Sequence, residues 1–167
     1  MFQVSRRADY AMRIMVELGQ REEGASMSAR EISQHTAVPK AFLHKITADL
    51  VKASLVRTYS GPAGGVILAR PPASISVLQI VEAIEGPICV NVCLIRPHEC
   101  PRDRLCPVHT LWGRLQAMIV AELQQATLAQ LVVEARLLKQ RPQNSQPASN
   151  LFLGNFEHLL TVSSMTQ

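Results

Sequence analysis

The sequence predicts a mainly α-helical fold with one small β-hairpin. Three observations predict it: apolar residues recur at helical spacing in several segments, capping-box pairs mark helix starts, and a glycine-rich tip separates two short apolar runs. Hydrophobic residues make up 47% of the chain but aromatic residues only 4%, so the core must consist of aliphatic side chains and methionine. The charged fraction of 18% indicates a folded globular chain rather than a disordered one.

The first helix is expected from Ser5 to Leu18. Its apolar residues occupy the i, i+3, i+4 and i+7 positions of an amphipathic helix: Ala11, Ile14, Met15 and Leu18. The opposite face carries the charged residues Arg6, Arg7, Asp9 and Arg13. After a polar break, Ser28 and Glu31 match a capping box, in which each side chain accepts a hydrogen bond from the other residue's backbone amide. A second, short helix is therefore expected from about Ala29 to His35.

A third helix is expected directly after the second. Residues 36–38 form a tight connection, and Pro39 suits the first turn of a helix that runs to about Ala53. Its buried stripe is expected to consist of Phe42, Leu43, Ile46 and Leu50. Two short helices joined by such a turn form a helix-turn-helix, whose second helix presents its N-terminal residues to base edges in DNA. The candidate DNA contacts in this part of the chain are Ser28, Lys40, Ala41, His44 and Lys45.

A β-hairpin is expected next, from the runs 55–60 and 66–68 on either side of the glycine-rich tip 61–65. Behind a helix-turn-helix such a hairpin is a wing, in which glycine lets the backbone approach a phosphate closely. Its candidate DNA contacts are Arg57, Tyr59, Gly64 and Gly65. The alternative for each candidate is an ordinary solvated position on an outer face.

Positive charge is concentrated in the N-terminal part of the chain. Residues 1–70 contain ten Lys and Arg against six Asp and Glu, a balance of +4, whereas residues 71–167 contain seven of each. This distribution is expected if the N-terminal part meets a polyanion such as double-stranded DNA. The chain starts without an apolar leader and has no apolar run of the roughly 20 residues that a membrane span needs. A cytoplasmic protein without a membrane partner is therefore expected.

Helices are expected again after the hairpin. Residues 76–85 carry a helical apolar stripe that ends at Gly86 and Pro87, and a long helical pattern resumes at Thr110. The apolar residues of this long helix are Leu111, Trp112, Leu115, Met118, Ile119 and Leu123. Thr127 and Gln130 match a further capping box, which opens a last helix to about Lys139. The long helix has more apolar surface than a small winged helix needs to cover, so we expect it to form a homodimer that reads two half-sites.

All four cysteines lie in one short segment. Cys89 precedes the pattern C-x6-C-x5-C-x2-H, which consists of Cys93, Cys100, Cys106 and His109. Cysteines confined to one proline-containing loop indicate sulfur chemistry rather than core packing. In a cytoplasmic protein they favour metal binding or redox sensing over structural disulfides.

Three kinds of site remain open for this loop. Zinc sites usually contain C-x2-4-C pairs, which gaps of six and five residues do not form. Three thiolates spread over a longer loop favour an iron–sulfur cluster, 2Fe–2S or 4Fe–4S, whose irons take Cys and sometimes His as ligands. A zinc site and a cluster-free thiol switch are the alternatives.

The chain resembles the Rrf-two family of bacterial winged-helix regulators over about residues 1–138. The family includes the iron–sulfur regulator IscR, the nitric-oxide-responsive NsrR and the iron-responsive RirA. The segments that carry the resemblance are SRRADYAMR at 5–13, VPKAFLHKI at 38–46, GPAGGVIL at 61–68, and the cysteine pattern followed by TLW. The resemblance implies a homodimer that binds an operator and holds a cluster in the loop ahead of the dimerisation helix.

The resemblance also implies the ligands of the cluster. Cys93, Cys100 and Cys106 match the three cluster cysteines, although the first gap is six residues rather than five. His109 matches the fourth ligand of the IscR branch, and Asp9 matches the aspartate that NsrR-like members supply from the partner subunit. We place His109 first. Cys89 has no counterpart in the motif and is expected to be a small apolar residue after the helix.

The expected function is that of a DNA-binding transcriptional regulator, a repressor, that senses iron–sulfur status, nitric oxide or redox state. The expected parts are a winged helix-turn-helix at 1–86, a cluster-binding loop at 87–109, dimerisation helices at 110–139, and a flexible linker and tail at 140–167. The first alternative is a winged-helix regulator with zinc or a thiol switch. An iron–sulfur electron carrier or enzyme ranks last, because the sequence has no nucleotide, flavin or nucleophile motif and a winged helix would be unexplained.

Overall fold

The computed structural model describes residues 4–61, 64–102 and 105–140. Within these residues the elements follow in the order α1 (Arg6–Gly19), α2 (Ala29–Thr36), α3 (Lys40–Lys52), β1 (Val56–Tyr59), β2 (Gly65–Leu68), α4 (Val77–Glu85), α5 (Pro107–Gln125) and α6 (Leu128–Gln140). The predicted mainly α fold with one small hairpin is therefore confirmed. The chain divides into compact units at 1–136 and 137–167, and the predicted linker and tail lie outside the described residues from position 141 onward.

Helices α1, α2 and α6 begin at residues whose side chains cap the helix. The Ser5 hydroxyl accepts from the Ala8 amide at the start of α1. The predicted capping box of α2 is present, because the Glu31 amide donates to the Ser28 hydroxyl at 3.3 Å and the Ser28 amide donates to the Glu31 carboxylate at 2.8 Å. Thr127 and Gln130 form the equivalent box at α6. Each box satisfies two backbone amides that have no partner inside their helix.

Two side-chain hydroxyls and one left-handed residue form the turn between α2 and α3. Ala37 has φ 55° and ψ 22°, the conformation that ends α2. The Thr36 hydroxyl donates to the Ile32 carbonyl at 2.6 Å and accepts from the Val38 amide, while the Ser33 hydroxyl donates to the Val38 carbonyl at 2.9 Å. Both backbone groups of Val38 are thereby paired within the protein, which helps to hold α2 and α3 in one relative orientation.

The core-facing stripe of α3 is narrower than the sequence predicted. Leu43, Ile46 and Leu50 are buried, as expected. The prediction that Phe42 is buried was wrong, because its side chain is 42% exposed. Successive residues turn about 100° around a helix, so Phe42 points beside the core rather than into it. Its ring instead meets Tyr10 of α1 edge-to-face, with the ring centroids 5.5 Å apart.

The hairpin is anchored to the helices by a third extended segment. β1 and β2 pair antiparallel in the register Val56 to Leu68 and Tyr59 to Gly65. Met27, just before α2, adds a bridge on the other side of β2: its amide donates to the Val66 carbonyl at 3.0 Å and its carbonyl accepts from the Val66 amide at 2.8 Å. No pattern in the sequence indicates this bridge, since a single extended residue has no periodicity.

The last helix, α6, packs against the first helix, α1, and completes the apolar core. Leu128 and Val132 of α6 are buried in the same apolar cluster as Ile14 and Leu18 of α1. The approach is close at Gly19, where an added Cβ would lie 2.6 Å from Cγ2 of Val132. The turn before α6 is fixed by backbone bonds: the Val77 amide donates to the Ala126 carbonyl at 2.8 Å, and the Leu128 amide donates to the Ile75 carbonyl at 2.9 Å.

The winged-helix part is also tied together by polar contacts between helices. Glu17 of α1 is buried, and its carboxylate lies 2.8 Å from Nδ1 of His35 on α2. Arg7 of α1 and Asp49 of α3 form an ion pair at 2.5 Å. In the described ranges, no helix is long and apolar enough to cross a membrane.

We predict that Gly19→Ala destabilises the protein by about 1–3 kcal/mol, because the new methyl group overlaps Val132 and overpacks the contact between α1 and α6. The measurement is the free energy of unfolding in urea. Gly113→Ala in α5 is the matched control: its Cβ would meet Leu94 at 3.9 Å, an ordinary contact, so the change from glycine to alanine inside a helix should be neutral or stabilising by about 1 kcal/mol.

Adding Val132→Ala to Gly19→Ala should recover part of the loss, since the overlapping methyl group is then absent. If Gly19→Ala and Gly113→Ala have the same effect, the close approach of α6 to α1 is not a constraint on the fold.

Candidate functional site

Four predicted DNA contacts share one exposed face at the start of α3. Lys40, Ala41, His44 and Lys45 are all exposed. They face outward because Leu43, Ile46 and Leu50 turn the opposite side of α3 into the core. This geometry agrees with that of a recognition helix, whose N-terminal residues reach base edges in the major groove. Their contact with DNA stays a prediction.

A cleft of about 610 Å³ separates this helix from the hairpin. His44 lines its α3 side and Tyr59, which is 54% exposed, lines its hairpin side. The cleft is also lined by Thr47, Lys52 and Thr58, which are not among the predicted DNA contacts. Lys52 could have been found, because it lies seven residues after Lys45 and so on the same side of the helix. A histidine, a lysine and several hydroxyls therefore surround an opening beside α3.

Two other candidates already have partners within the protein. Ser28 is half-buried as the N-cap of α2, with both its hydroxyl and its amide bound to Glu31. Arg57 is exposed, but its guanidinium donates back to the Ala69 carbonyl at 3.2 Å. To bind DNA, each of these two residues would need a contact with DNA in addition to the contact that it already makes within the protein.

The two hairpin glycines are required by the fold itself. A Cβ on Gly65 would lie 2.6 Å from the Met27 carbonyl oxygen, the group that pairs with Val66. A Cβ on Gly64 would overlap the Tyr59 carbonyl. A structural reason therefore accounts for both glycines, and their predicted approach to DNA remains untested.

The cysteine loop connects α4 to α5. Gly86, with φ 79°, ends α4, and two short 3-10 turns follow at Val92–Leu94 and Pro97–Glu99. Helix α5 begins at Pro107, three residues before the predicted start, because proline fits the first helical position and Cys106 serves as N-cap. The loop packs along α5: the Val90 amide donates to the Gln116 side chain at 3.1 Å.

All four cysteines are reduced and half-buried. Cys93 lies in the first 3-10 turn, Cys100 follows the second, and Cys106 precedes α5. Cys89 donates its thiol hydrogen to the Asn91 carbonyl at 3.2 Å. None of the four is part of the apolar core, which agrees with a role for the thiols in sulfur chemistry.

The two candidates for a fourth ligand lie in different helices. His109 is half-buried in the first turn of α5, three residues after Cys106. Asp9 lies in the first turn of α1, where its carboxylate forms an ion pair with Arg13 at 2.7 Å. Arg13 in turn lies over the Tyr10 ring, 5.7 Å from its centroid. A metal ion at Asp9 would have to share this carboxylate with Arg13 or displace it.

The donors have suitable chemistry for a cluster but are not gathered around one point. Across the part of the chain that the structure describes, no group of three or more His, Cys, Asp or Glu side chains is placed to hold a metal ion. The described residues of this single chain therefore do not form a cluster site in this conformation. The assignment of Cys93, Cys100, Cys106 and His109 as ligands stays a prediction.

A helix-turn-helix with an adjacent hairpin, joined to a cysteine-containing loop, defines the class of winged-helix transcriptional regulators. The family model "Rrf2: Iron-dependent Transcriptional regulator" matches residues 4–134. The chain therefore belongs to the Rrf2 family. A putative HTH-type transcriptional regulator of Haemophilus influenzae is 32% identical over 131 residues, which cover 78% of this chain and 87% of the relative.

Solved structures agree with this family. CymR, described as the global cysteine regulator of B. subtilis, has a TM-score of 0.66 and 28% identity, and the match covers 80% of this chain and 98% of CymR. IscR of T. potens has a TM-score of 0.64 and 25% identity, and the match covers 89% of this chain and 96% of IscR. The expectation of a winged-helix regulator rather than an enzyme is confirmed, since these relatives are transcriptional regulators.

We predict that Ser28 lowers the pKa of Glu31, because the serine amide and hydroxyl both stabilise the ionised carboxylate. A depressed pKa in the folded state means that this contribution to stability is present above the unfolded pKa and is lost as pH falls through the folded pKa. In an NMR titration of the side-chain carboxyl groups, Ser28→Ala should raise the pKa of Glu31.

Ser28→Thr is the control, since threonine retains the hydroxyl and should keep the pKa low. An unchanged pKa in Ser28→Ala would show that the hydroxyl does not contribute and that the backbone amide of residue 28 alone lowers the pKa.

Proposed function

We propose that this Rrf2-family chain is a homodimeric repressor that binds double-stranded operator DNA, and that an iron–sulfur cluster held by Cys93, Cys100 and Cys106 sets its affinity. The observation that carries the proposal is the exposed, basic start of α3 beside the hairpin, in a chain whose four cysteines all lie in the loop before α5. The finer steps are supported by separate features of the chain.

DNA binding by the α3 face is supported by shape and charge. Lys40 and Lys45 bring two positive charges to the exposed start of the helix, and Lys52 adds a third at the cleft. Lysines at these positions suit phosphate contacts, which give affinity without sequence information. Ala41 and His44 lie between them and are the candidates for base contacts, since a small and a ring side chain can both reach base edges.

Dimer formation is supported by the surface of α5. None of its nineteen residues is buried in the single chain. Leu111 is 41% and Met118 is 68% exposed, although both belong to the apolar stripe. An exposed apolar stripe on a long helix is typical of a contact with a partner helix. Two copies joined through α5 would present two α3 faces, as recognition of two half-sites requires.

Cluster sensing is supported by the donor set, the loop spacing and the iron-dependent description of the family. When bound, an iron–sulfur cluster supplies a centre that responds to redox state and nitric oxide. This chain would contribute three thiolates and either His109 of α5 or Asp9 of α1. Because the described conformation does not gather these groups, we expect the loop to rearrange when it takes up metal.

A cluster-free thiol switch is the second candidate. The observation that favours it is that four reduced, half-buried cysteines lie within eighteen residues. Thiols so placed can form a disulfide when two of them lose two electrons and two protons to an oxidant. A third candidate is the same regulator with a zinc site in the loop. All three forms place the sensor in the loop before α5.

We predict that Lys40→Ala combined with Lys45→Ala weakens DNA binding strongly, because two phosphate contacts are removed. The slope of log K against log salt concentration should fall by about 1.8, since each phosphate contact contributes about 0.9. Fluorescence anisotropy with a labelled operator duplex measures both quantities. The matched control is Arg114→Ala combined with Lys139→Ala, which removes the same charge outside residues 1–70 and should leave the slope unchanged.

Equal losses in the two double variants would mean that net charge, not the α3 face, determines binding. The assignment of α3 as recognition helix would then be wrong.

We predict that anaerobic reconstitution with iron and sulfide gives a coloured protein, and that Cys93→Ser, Cys100→Ser and Cys106→Ser each abolish its visible absorption. Cys89→Ser is the matched control and should keep the full spectrum, because Cys89 is not among the proposed ligands. Separate His109→Ala and Asp9→Ala variants identify the fourth ligand by their altered spectra.

A wild-type protein that stays colourless after reconstitution would rule out the cluster and leave the zinc site or the thiol switch. Zinc content, measured on the protein as purified, and the number of thiols that react with an alkylating reagent distinguish these two forms.

A further inference from the structure

A cavity of about 330 Å³ lies between the segment that follows α1 and the segment that follows β2. It is distinct from the cleft beside α3, and no cysteine lines it. Leu18, Leu68 and Pro72 form part of its apolar lining, and Arg21, Glu22 and Arg70 are among its charged residues. Its volume is at the lower end of the range for pockets that bind small molecules.

Arg70 lines this cavity, and its guanidinium group lacks full hydrogen bonding. Its Nε is buried and has no hydrogen-bond partner among the described residues. Its Nη2 reaches the Gln79 side chain only at 3.5 Å, the upper limit for a hydrogen bond. Buried donors in folded proteins are nearly always paired, because an unpaired donor loses its hydration without compensation. An arginine in this position is suited to a carboxylate, which can accept two parallel hydrogen bonds from the guanidinium.

The other charges of the cavity restrict what can bind. Arg70 and Arg21 are its positively charged lining residues, although Nη2 of Arg21 also lies 3.8 Å from the Glu17 carboxylate, and Glu22 and Glu23 are its negatively charged ones. A dianion such as phosphate would meet repulsion from both glutamates, whereas a molecule with one carboxylate and one ammonium group matches both signs. The apolar lining by Leu18, Leu68, Pro71 and Pro72 suits an aliphatic side chain.

We propose that this cavity binds a small amino acid, whose carboxylate pairs with Arg70 and whose ammonium group lies near Glu22 and Glu23. The site does not depend on a cluster or on DNA. It joins two segments of the winged-helix part: the loop that leads to Met27, which pairs with Val66 of the hairpin, and the chain that leaves the hairpin after Leu68. A bound ligand would hold these segments together and so affect the position of the hairpin relative to α2.

The test uses the full-length protein and four probes: glycine, L-alanine, L-valine and L-leucine. Isothermal titration calorimetry measures binding, and the Nε–Hε resonance of Arg70 in NMR spectra reports its location. We expect saturable binding of at least one probe with a shift of the Arg70 resonance. Arg70→Met should weaken that binding about tenfold or more, as expected for the loss of a charge-assisted hydrogen bond. Arg114→Met, an exposed arginine on α5, is the matched control and should bind normally.

Three further titrations keep the proposal open to contradiction if Arg70→Met fails to fold. Glu22→Gln with Glu23→Gln should weaken binding of the amino acid, and the deaminated analogue of the best probe, which lacks the ammonium group, should bind more weakly than the probe itself. Inorganic phosphate should bind more weakly still. The proposal is overturned if no probe binds saturably, if the Arg70 resonance does not move, or if phosphate or the deaminated analogue binds as tightly as the amino acid.

Discussion

The close contact of Gly19 with Val132 is the constraint on which the rest of the structure depends. It allows α6 to lie against α1 and places Leu128 and Val132 in the core of the winged-helix part. The backbone bonds from Val77 to Ala126 and from Leu128 to Ile75 fix the preceding turn at 2.8 and 2.9 Å. The cysteine loop and α5 form one segment between two fixed points. Helix α4, which precedes the loop, is buried in the same region, and the turn that follows α5 is held by these backbone bonds. A change in the loop therefore acts on a segment whose two ends cannot move freely.

The contacts from α1 to α3 connect this closed core to the proposed DNA surface. Arg7 and Asp49 pair at 2.5 Å, and Tyr10 meets Phe42 edge-to-face beside the exposed start of α3. Asp9, the alternative fourth ligand, lies next to Tyr10 and pairs with Arg13. Asp9 is therefore linked through Arg13, Tyr10 and Phe42 to the proposed DNA-binding helix, and energetic coupling along this path is the property to measure.

Local signals predicted much of this fold, whereas contacts between distant segments could not be predicted. The Ser28–Glu31 and Thr127–Gln130 boxes identified helix starts because capping depends on neighbouring residues. Phe42 was assigned to the core because its apolar character fits the stripe, yet its side chain points toward Tyr10. The Met27 bridge and the need for glycine at position 19 depend on partners 39 and 113 residues away in sequence, at Val66 and Val132. The cysteine pattern located the sensor candidate, but spacing alone does not say whether its thiols gather around a metal.

The most direct test is the affinity of the protein for its operator with the loop thiols in two states. The dissociation constant is measured by anisotropy for anaerobically reconstituted protein and again after mild oxidation, in the wild type and in a variant with Ser at positions 93, 100 and 106. We predict a change of about tenfold or more in the wild type, equivalent to about 1.4 kcal/mol, and no change in the triple variant. An unchanged wild-type affinity, or an equal change in both proteins, would contradict control of DNA binding by the cysteine loop.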